Sequence, residues 1–249
     1  MRESSVKVEN KIIRDKKAIV RTDTDTCIGI VGKNYKVVED KTLLKHFKSI
    51  TDDLGMDWKI KSFHEIRGGQ KTITNIEFSE LSKKVNKKDT LNLTGYIVNG
   101  YNGFSSAKLI LGFYRVVCKN GMTIDTKELQ IGYRHVGNVN EKLIEQFKMY
   151  IENKVKKATI LITAMINHRF KNIKQIESVI DKSDWLGEKY KSQIYNAYKA
   201  EKLAQKLTFW RLFNAYTYVI THNMKINQES RLNYYRHLNT ESKEWETRF

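Results

Sequence analysis

A chain of 249 residues that is 40% apolar and 11% aromatic has ample material for a packed core. Its 45 Lys and Arg against 28 Asp and Glu give a net charge of +17, a self-repulsion most often retained for a polyanionic partner. The two cysteines, Cys27 and Cys118, lie far apart and outside any CxxC or Cys/His cluster, and no apolar run approaches the roughly 18 to 20 residues of a membrane span, so a disulfide scaffold, a zinc site and a membrane protein are not expected. The first residues carry no apolar leader segment, which points to the cytoplasm. With no proline and no Gly/Ser-rich tract, domain boundaries have to be read from changes of periodicity.

Residues 1–17 are polar and mixed in charge, with a weak strand pattern that suits a tail or an edge strand. Between Ala18 and Val38 two strands are predicted, KAIVRTDT and CIGIVGKNYKVV, with a turn at Gly32-Lys33-Asn34. Asp23 and Asp25 share one side of an extended strand, but no further ligands accompany them and no metal is expected. Asp40 has the character of an N-cap. Leu43, Leu44, Phe47, Ile50 and Leu54 then follow helical spacing up to Gly55. Trp58, Ile60 and Phe63 alternate, Gly68-Gly69 marks a hairpin flanked by Arg67 and Lys71, and ELSKKVNKKD (80–89) reads as a solvated loop.

A β-meander follows from Thr90 to Val136. Leu91, Leu93 and Ile97 alternate up to the loop at Tyr101-Asn102-Gly103, and Ala107, Leu109, Leu111 and Phe113 alternate towards Arg115. A hairpin turn is predicted at Asn120-Gly121, then a strand through Ile124, Leu129 and Ile131 that ends at Arg134-His135. Arg115 and Lys119 close one strand and Arg134 the next, so neighbouring strands would bring these cations to one edge. From Asn138 the period changes to 3.6, and Ile144, Phe147, Ile151, Val155, Ala158, Ile162 and Met165 trace a helix of seven or eight turns, with Asn138 and Glu141 spaced as a capping box. A further helix around Trp185 to Tyr198, the buried aromatic helix TFWRLFNAYTYVITHN (208–223) and a last helix after Asn227 complete the chain. The expected fold is therefore α+β: a mainly antiparallel β-meander with one packed helix over residues 18–137, and a long-helix region over 138–249 that completes the core.

Several segments resemble a known family. GIVGKNYKVVED, RGGQKTI, YNGFSSA followed by RVVCKNGM and YRHVGNV, and FWRLFNAYTYVITH occur in the order found in the phage- and plasmid-related proteins of the domain-of-unknown-function family nine-three-two, from about residue 28 to 223. This chain has Asn102-Gly103 where that family commonly has Asp-Gly, and His135-Val136 where it commonly has His-Thr. The resemblance implies a mobile-element setting and a distant similarity to the phage single-strand annealing recombinases. Those proteins form rings or filaments and lay complementary strands along a basic groove. A homo-oligomer is implied, as is a phage exonuclease or a host single-strand-binding protein as a further partner.

These observations lead to the expectation of a single-stranded DNA-binding and strand-annealing protein that acts without bond chemistry and without a cofactor. Phosphates need cations and bases need flat rings. Arg115, Lys119, Arg134 and His135 are the first contacts expected, then Lys33, Lys36, Arg67 and Lys71, with Tyr35 and Tyr101 as stacking residues. An alternative is an interaction protein that binds and blocks a host factor. A metal-dependent nuclease is less well supported, because GxxxxGK[ST], HExxH and GxSxG are all absent, a lone cysteine such as Cys118 at a strand end is more often buried and inert, and His135 beside Arg134 is disfavoured as a base.

Overall fold

The computed structural model describes residues 1–86, 89–105, 107–115, 120–123, 141–202 and 204–248. The fold is α+β, with two antiparallel sheets. The first has the order β1-β2-β3, from β1 (Arg2–Val8), β2 (Lys11–Val20) and β3 (Cys27–Gly32). A two-residue turn joins β1 to β2, with Glu9 and Asn10 both at positive φ (48° and 65°), the conformation whose twist matches that of paired strands. Opposite the step from Ser5 to Val6 the partner in β2 jumps from Lys17 to Ile13, so Arg14, Asp15 and Lys16 have no partner in β1.

The strand expected through Val38 ends at Gly32; residues 35–39 have no regular structure. Side-chain bonds hold this connection instead: the Tyr35 hydroxyl donates to the Gly100 carbonyl at 2.9 Å and Asn99 Nδ2 donates to the Val38 carbonyl at 2.9 Å. Helix α1 (Asp40–Asp53) buries Leu43, Phe47 and Ile50, and stops at Gly55, whose φ of +64° suits a residue without a Cβ. Its N-cap is Glu39, not Asp40, and no side chain caps it. Asp40 is the first helical residue, and its Oδ1 accepts bonds from Thr72 at 2.7 Å and Asn99 at 3.0 Å, which ties the helix to two strands.

The second sheet has the order β4-β5-β6-β7-β8: β4 (Trp58–Ile66), β5 (Lys71–Asn86), β6 (Asp89–Gly100), β7 (Lys108–Arg115) and β8 (Asn120–Thr123). Two expectations are corrected here. The segment expected as a loop over 80–89 is mostly strand, because β5 runs on to Asn86 beside β6; pairing outweighs the low strand preference of its lysines. Asn120 and Gly121 lie within β8, opposite Arg115 and Tyr114, and do not form the turn. Phe47 packs edge-on against Trp58 and Phe78, with ring centres 5.1 and 6.4 Å away, so α1 covers β4 and β5.

Helix α2 (Glu141–Asn167) matches the long helix expected from periodicity, and α3 (Ile173–Asp181), α4 (Glu188–Ala200), α5 (Phe209–Tyr218), a π-helical turn (Val219–Asn223) and α6 (Gln228–Arg248) follow. Contacts divide the chain into two compact units. Of the described residues, Met1–Glu80, Gly95–Ile110 and α2 up to Met149 belong to one, and Leu81–Thr94, Leu111–Thr123 and those from Tyr150 onwards to the other. In the second unit Phe170, Phe209, Tyr216 and Trp245 form an aromatic core, and the buried Arg211 guanidinium donates to the carbonyls of Tyr198, Lys199 and Ala204 at the end of α4. No helix among the described residues is long and apolar enough to cross a membrane.

Candidate nucleic-acid interface

The loop 101–105 lies flat on β3. An added Cβ on Gly29 would come within 2.7 Å of the Asn102 Cα and the Tyr101 carbonyl oxygen, and one on Gly103 within 3.1 Å of Val31 Cγ1. Gly103 also has a φ of +79°, so both glycines are needed for the close approach. Asn102 Oδ1 accepts from the Phe104 amide at 3.1 Å, a local turn that fixes the loop's tip. The backbone is thus held while the Phe104 ring stands 92% exposed.

Cations lie at the Gly32 end of β3, the strand that supports this loop. Gly32 pairs with Lys16, the Lys33 amide donates to the Asp15 carbonyl at 2.9 Å, and Arg14, Asp15, Lys33 and Tyr35 line one shallow depression. Arg14, Lys16, Lys33 and Lys36 are all exposed, and among the described residues none of the four is ion-paired. The β2 irregularity at Arg14–Lys16 therefore presents extra positive charge beside the end of β3. The arrangement offers a ring for a base and four cations for phosphates.

Among the residues expected from sequence, Lys33 lies on this surface and Lys36 is exposed three residues further along the chain. Tyr35 is half-buried, with its hydroxyl bound to Gly100; burial pushes its pKa up to about 12. Tyr101 is 2% exposed and packs with Ile19, Ile28 and Val31; its amide donates to the Gln70 carbonyl and its hydroxyl accepts from the Asp40 amide at 3.0 Å. Burial, and then the Asp40 carboxylate, push its pKa well up. It is a core residue and not a stacking platform. Arg67 is exposed in the β4–β5 turn and Lys71 is half-buried. Beside that turn Asp23, Glu39, Asp40 and Glu65 line a second depression with Arg21, Lys41 and the Met1 amino group; the carboxylates already pair Arg21 and the amino group, which makes it a poor setting for phosphate.

Arg115, expected to be a phosphate contact, is 0% exposed. Its Nη1 donates to Glu201 Oε2 at 2.6 Å and its guanidinium carbon lies 5.9 Å from the centre of the Trp210 ring. It is a buried structural cation of the second unit. Lys119, Arg134, His135 and Cys118 lie outside the described residues. Sequence reasoning passed over Phe104, Arg14 and Lys16. Phe104 did leave a signal, an aromatic residue set among Asn, Gly and Ser in a loop.

The second unit has a cavity of about 620 Å³ lined by Gln193, Asn196, Asn214, Tyr218 and neighbours. Its polar groups are mainly carboxamides, and its charged side chains, Lys202 and Glu201, offset each other. Asp23 and Asp25, the carboxylates weighed as a cation site, pair with Arg21 and Arg2. The Arg21 guanidinium holds the Asp23 carboxyl down at about 2. Among the described residues no group of three or more His, Cys, Asp or Glu is placed to hold a metal ion.

Residues 27–243 match the sequence family described as Domain of unknown function (DUF932). The chain belongs to this family. The match takes in β3, the 101–105 loop and the α2–α6 region, and leaves β1 and β2 outside. No curated protein and no solved structure matches the chain.

Proposed function

We propose that the protein binds single-stranded nucleic acid on the surface formed by the 101–105 loop, the end of β3 and the β2 irregularity, and that it promotes pairing of complementary strands in a phage or other mobile-element setting. The observation that carries this reading is the exposed Phe104 ring on a backbone fixed from below by β3, a strand whose end lies beside Arg14, Lys16 and Lys33 and leads on to Lys36, none of them ion-paired among the described residues. A rigid, solvent-facing aromatic side chain costs free energy in water and gains it under a nucleobase. Annealing needs no bond chemistry. The protein has only to hold a backbone through its phosphates and leave base edges open, so that pairing itself reads the sequence. The distant similarity to annealing recombinases that the family resemblance implies is in keeping with the same reading.

The test is binding of the full chain to a fluorescent mixed-sequence oligonucleotide across a salt series, followed by addition of the complement. Four phosphate contacts give a log–log slope near −3, from about −0.7 per neutralised phosphate on a single strand. Phe104→Ala should weaken binding about tenfold, since stacking is worth ~1–3 kcal/mol per base, and Lys33→Glu should flatten the salt dependence. Complement addition should give faster pairing than in buffer alone. No binding at low salt, or binding indifferent to both substitutions, refutes the assignment.

A further inference from the structure

Strand β1 is the outer strand of its sheet, and one of its edges is unused. It is hydrogen-bonded to β2 alone, and among the described residues no backbone group outside the sheet bonds to Arg2–Val8. The strand is seven residues long and contains no proline, and the irregularity in the hairpin lies on the β2 side. Proteins commonly blunt a free edge with proline, a bulge, a covering element or charged side chains; β1 has no proline, no covering element is seen among the described residues, and its charges, Arg2, Glu3 and Lys7, are of both signs. Its outward N–H and C=O groups form a template for another strand.

The sequence of this edge is complementary to itself. Two antiparallel copies of Arg2-Glu3-Ser4-Ser5-Val6-Lys7-Val8, related by a two-fold axis at Ser5, place Glu3 of each copy opposite Lys7 of the other. In the same register Ser4 faces Val6 and Arg2 faces Val8, so all seven residues are paired. Centring on Ser4 sets Glu3 against Ser5 and leaves Lys7 without a strand partner. Centring on Val6 loses Glu3 instead. Glu3 already holds Lys17 through Oε1 at 2.7 Å, and its half-exposed side chain has a second oxygen for an incoming lysine. Val8 and Ile12, each 57% exposed, leave apolar surface at the end of the hairpin that a second copy would partly cover.

We infer that β1 pairs with β1 of a second copy in the Ser5-centred antiparallel register, joining two three-stranded sheets into one across a two-fold axis. The Phe104 loop sits on β3, at the other side of each sheet, so the dimer carries the Phe104 surface on both copies. The inference does not depend on what that surface binds.

Cross-linking tests the register directly, in a full-length Cys27→Ser, Cys118→Ser background. Residues directly opposite across an antiparallel pair have Cα atoms about 4.5–5.5 Å apart, within disulfide reach. Ser5→Cys should therefore give a disulfide-linked dimer on mild oxidation. Lys7→Cys should not, because its two copies would stand four strand residues, about 13 Å, apart. Sedimentation equilibrium of the unsubstituted chain should show a dimer. Lys7→Glu should raise its dissociation constant about tenfold by setting like charges opposite each other twice, and adding Glu3→Lys should restore it. A monomeric chain, equal cross-linking at both positions, no cross-linking at Ser5→Cys, or indifference to Lys7→Glu would each overturn the inference.

Discussion

Arg115 illustrates how a strand-end cation is assigned by its surroundings. The same side chain at the surface would be a phosphate ligand, but here a carboxylate 86 positions later meets it at 2.6 Å and Trp210 covers its face. A buried ion pair is worth little against a well-packed apolar pair, yet removing one partner strands the other charge. Arg115→Met should therefore destabilise the protein by about 3–5 kcal/mol in urea unfolding, while Arg115→Met with Glu201→Leu should regain most of the loss. Strand affinity of the folded variants should not change. Lost affinity at unchanged stability would instead return Arg115 to the interface. Tyr101 and Phe104 make the same point with aromatics. Three positions apart in one loop, one plugs the core of its unit and the other faces solvent.

The 101–105 loop functions through its support by β3. Gly29 admits the loop backbone, and the atoms that an added Cβ would strike, the Asn102 Cα and the Tyr101 carbonyl, are main chain and cannot swing aside. Gly29→Ala should then cost about 1–3 kcal/mol through overpacking, and should weaken strand binding by displacing the tip that carries Phe104. Gly187→Ala, far along the chain in the second unit, meets nothing within 4 Å and serves as the control, with binding unchanged. Loss of binding from Gly187→Ala, or none from Gly29→Ala, would mean that the loop's position is not what presents the ring. Other elements are fixed from farther away. Trp58 Nε1 donates to Thr51 Oγ1 at 2.8 Å, so the residue just beyond α1 anchors its last turn.

Across the whole molecule, a net charge of +17 sets the response to salt, and several buried phenols set the response to alkali. Burial pushes both Tyr35 and Tyr235 up to about 12, and Tyr216 is also raised well above its ordinary value. A phenol with a folded-state pKa above its unfolded value of about 10 stabilises the fold fully below pH ~10, and that contribution is lost as pH rises towards 12. Phenolate absorbance should therefore show a class of tyrosines that ionises only near the upper end of that window. Chemical stability should fall across it, and Tyr235→Phe should make the fall shallower. Ionisation of every tyrosine near 10 in the folded protein would contradict these buried environments.

Periodicity made α1, α2 and the buried α5 legible in the sequence, because core-facing residues recur with the period of the element that carries them. The α+β class and the cationic character follow from the same local information. Lys33 and Lys36 were legible as surface cations because they flank a turn, and lysines at turns stay in water. What periodicity could not give is whatever depends on a neighbour far along the chain. Lys83 and Lys84 belong in a strand because β6 lies beside β5, Tyr101 is buried because Ile19, Ile28 and Val31 converge on it, and Arg115 is buried because Glu201 and Trp210 come to meet it. Local sequence sets propensity and charge, whereas burial is a sum over contacts between distant segments, and those contacts alone decided which cations and which rings remained at the surface.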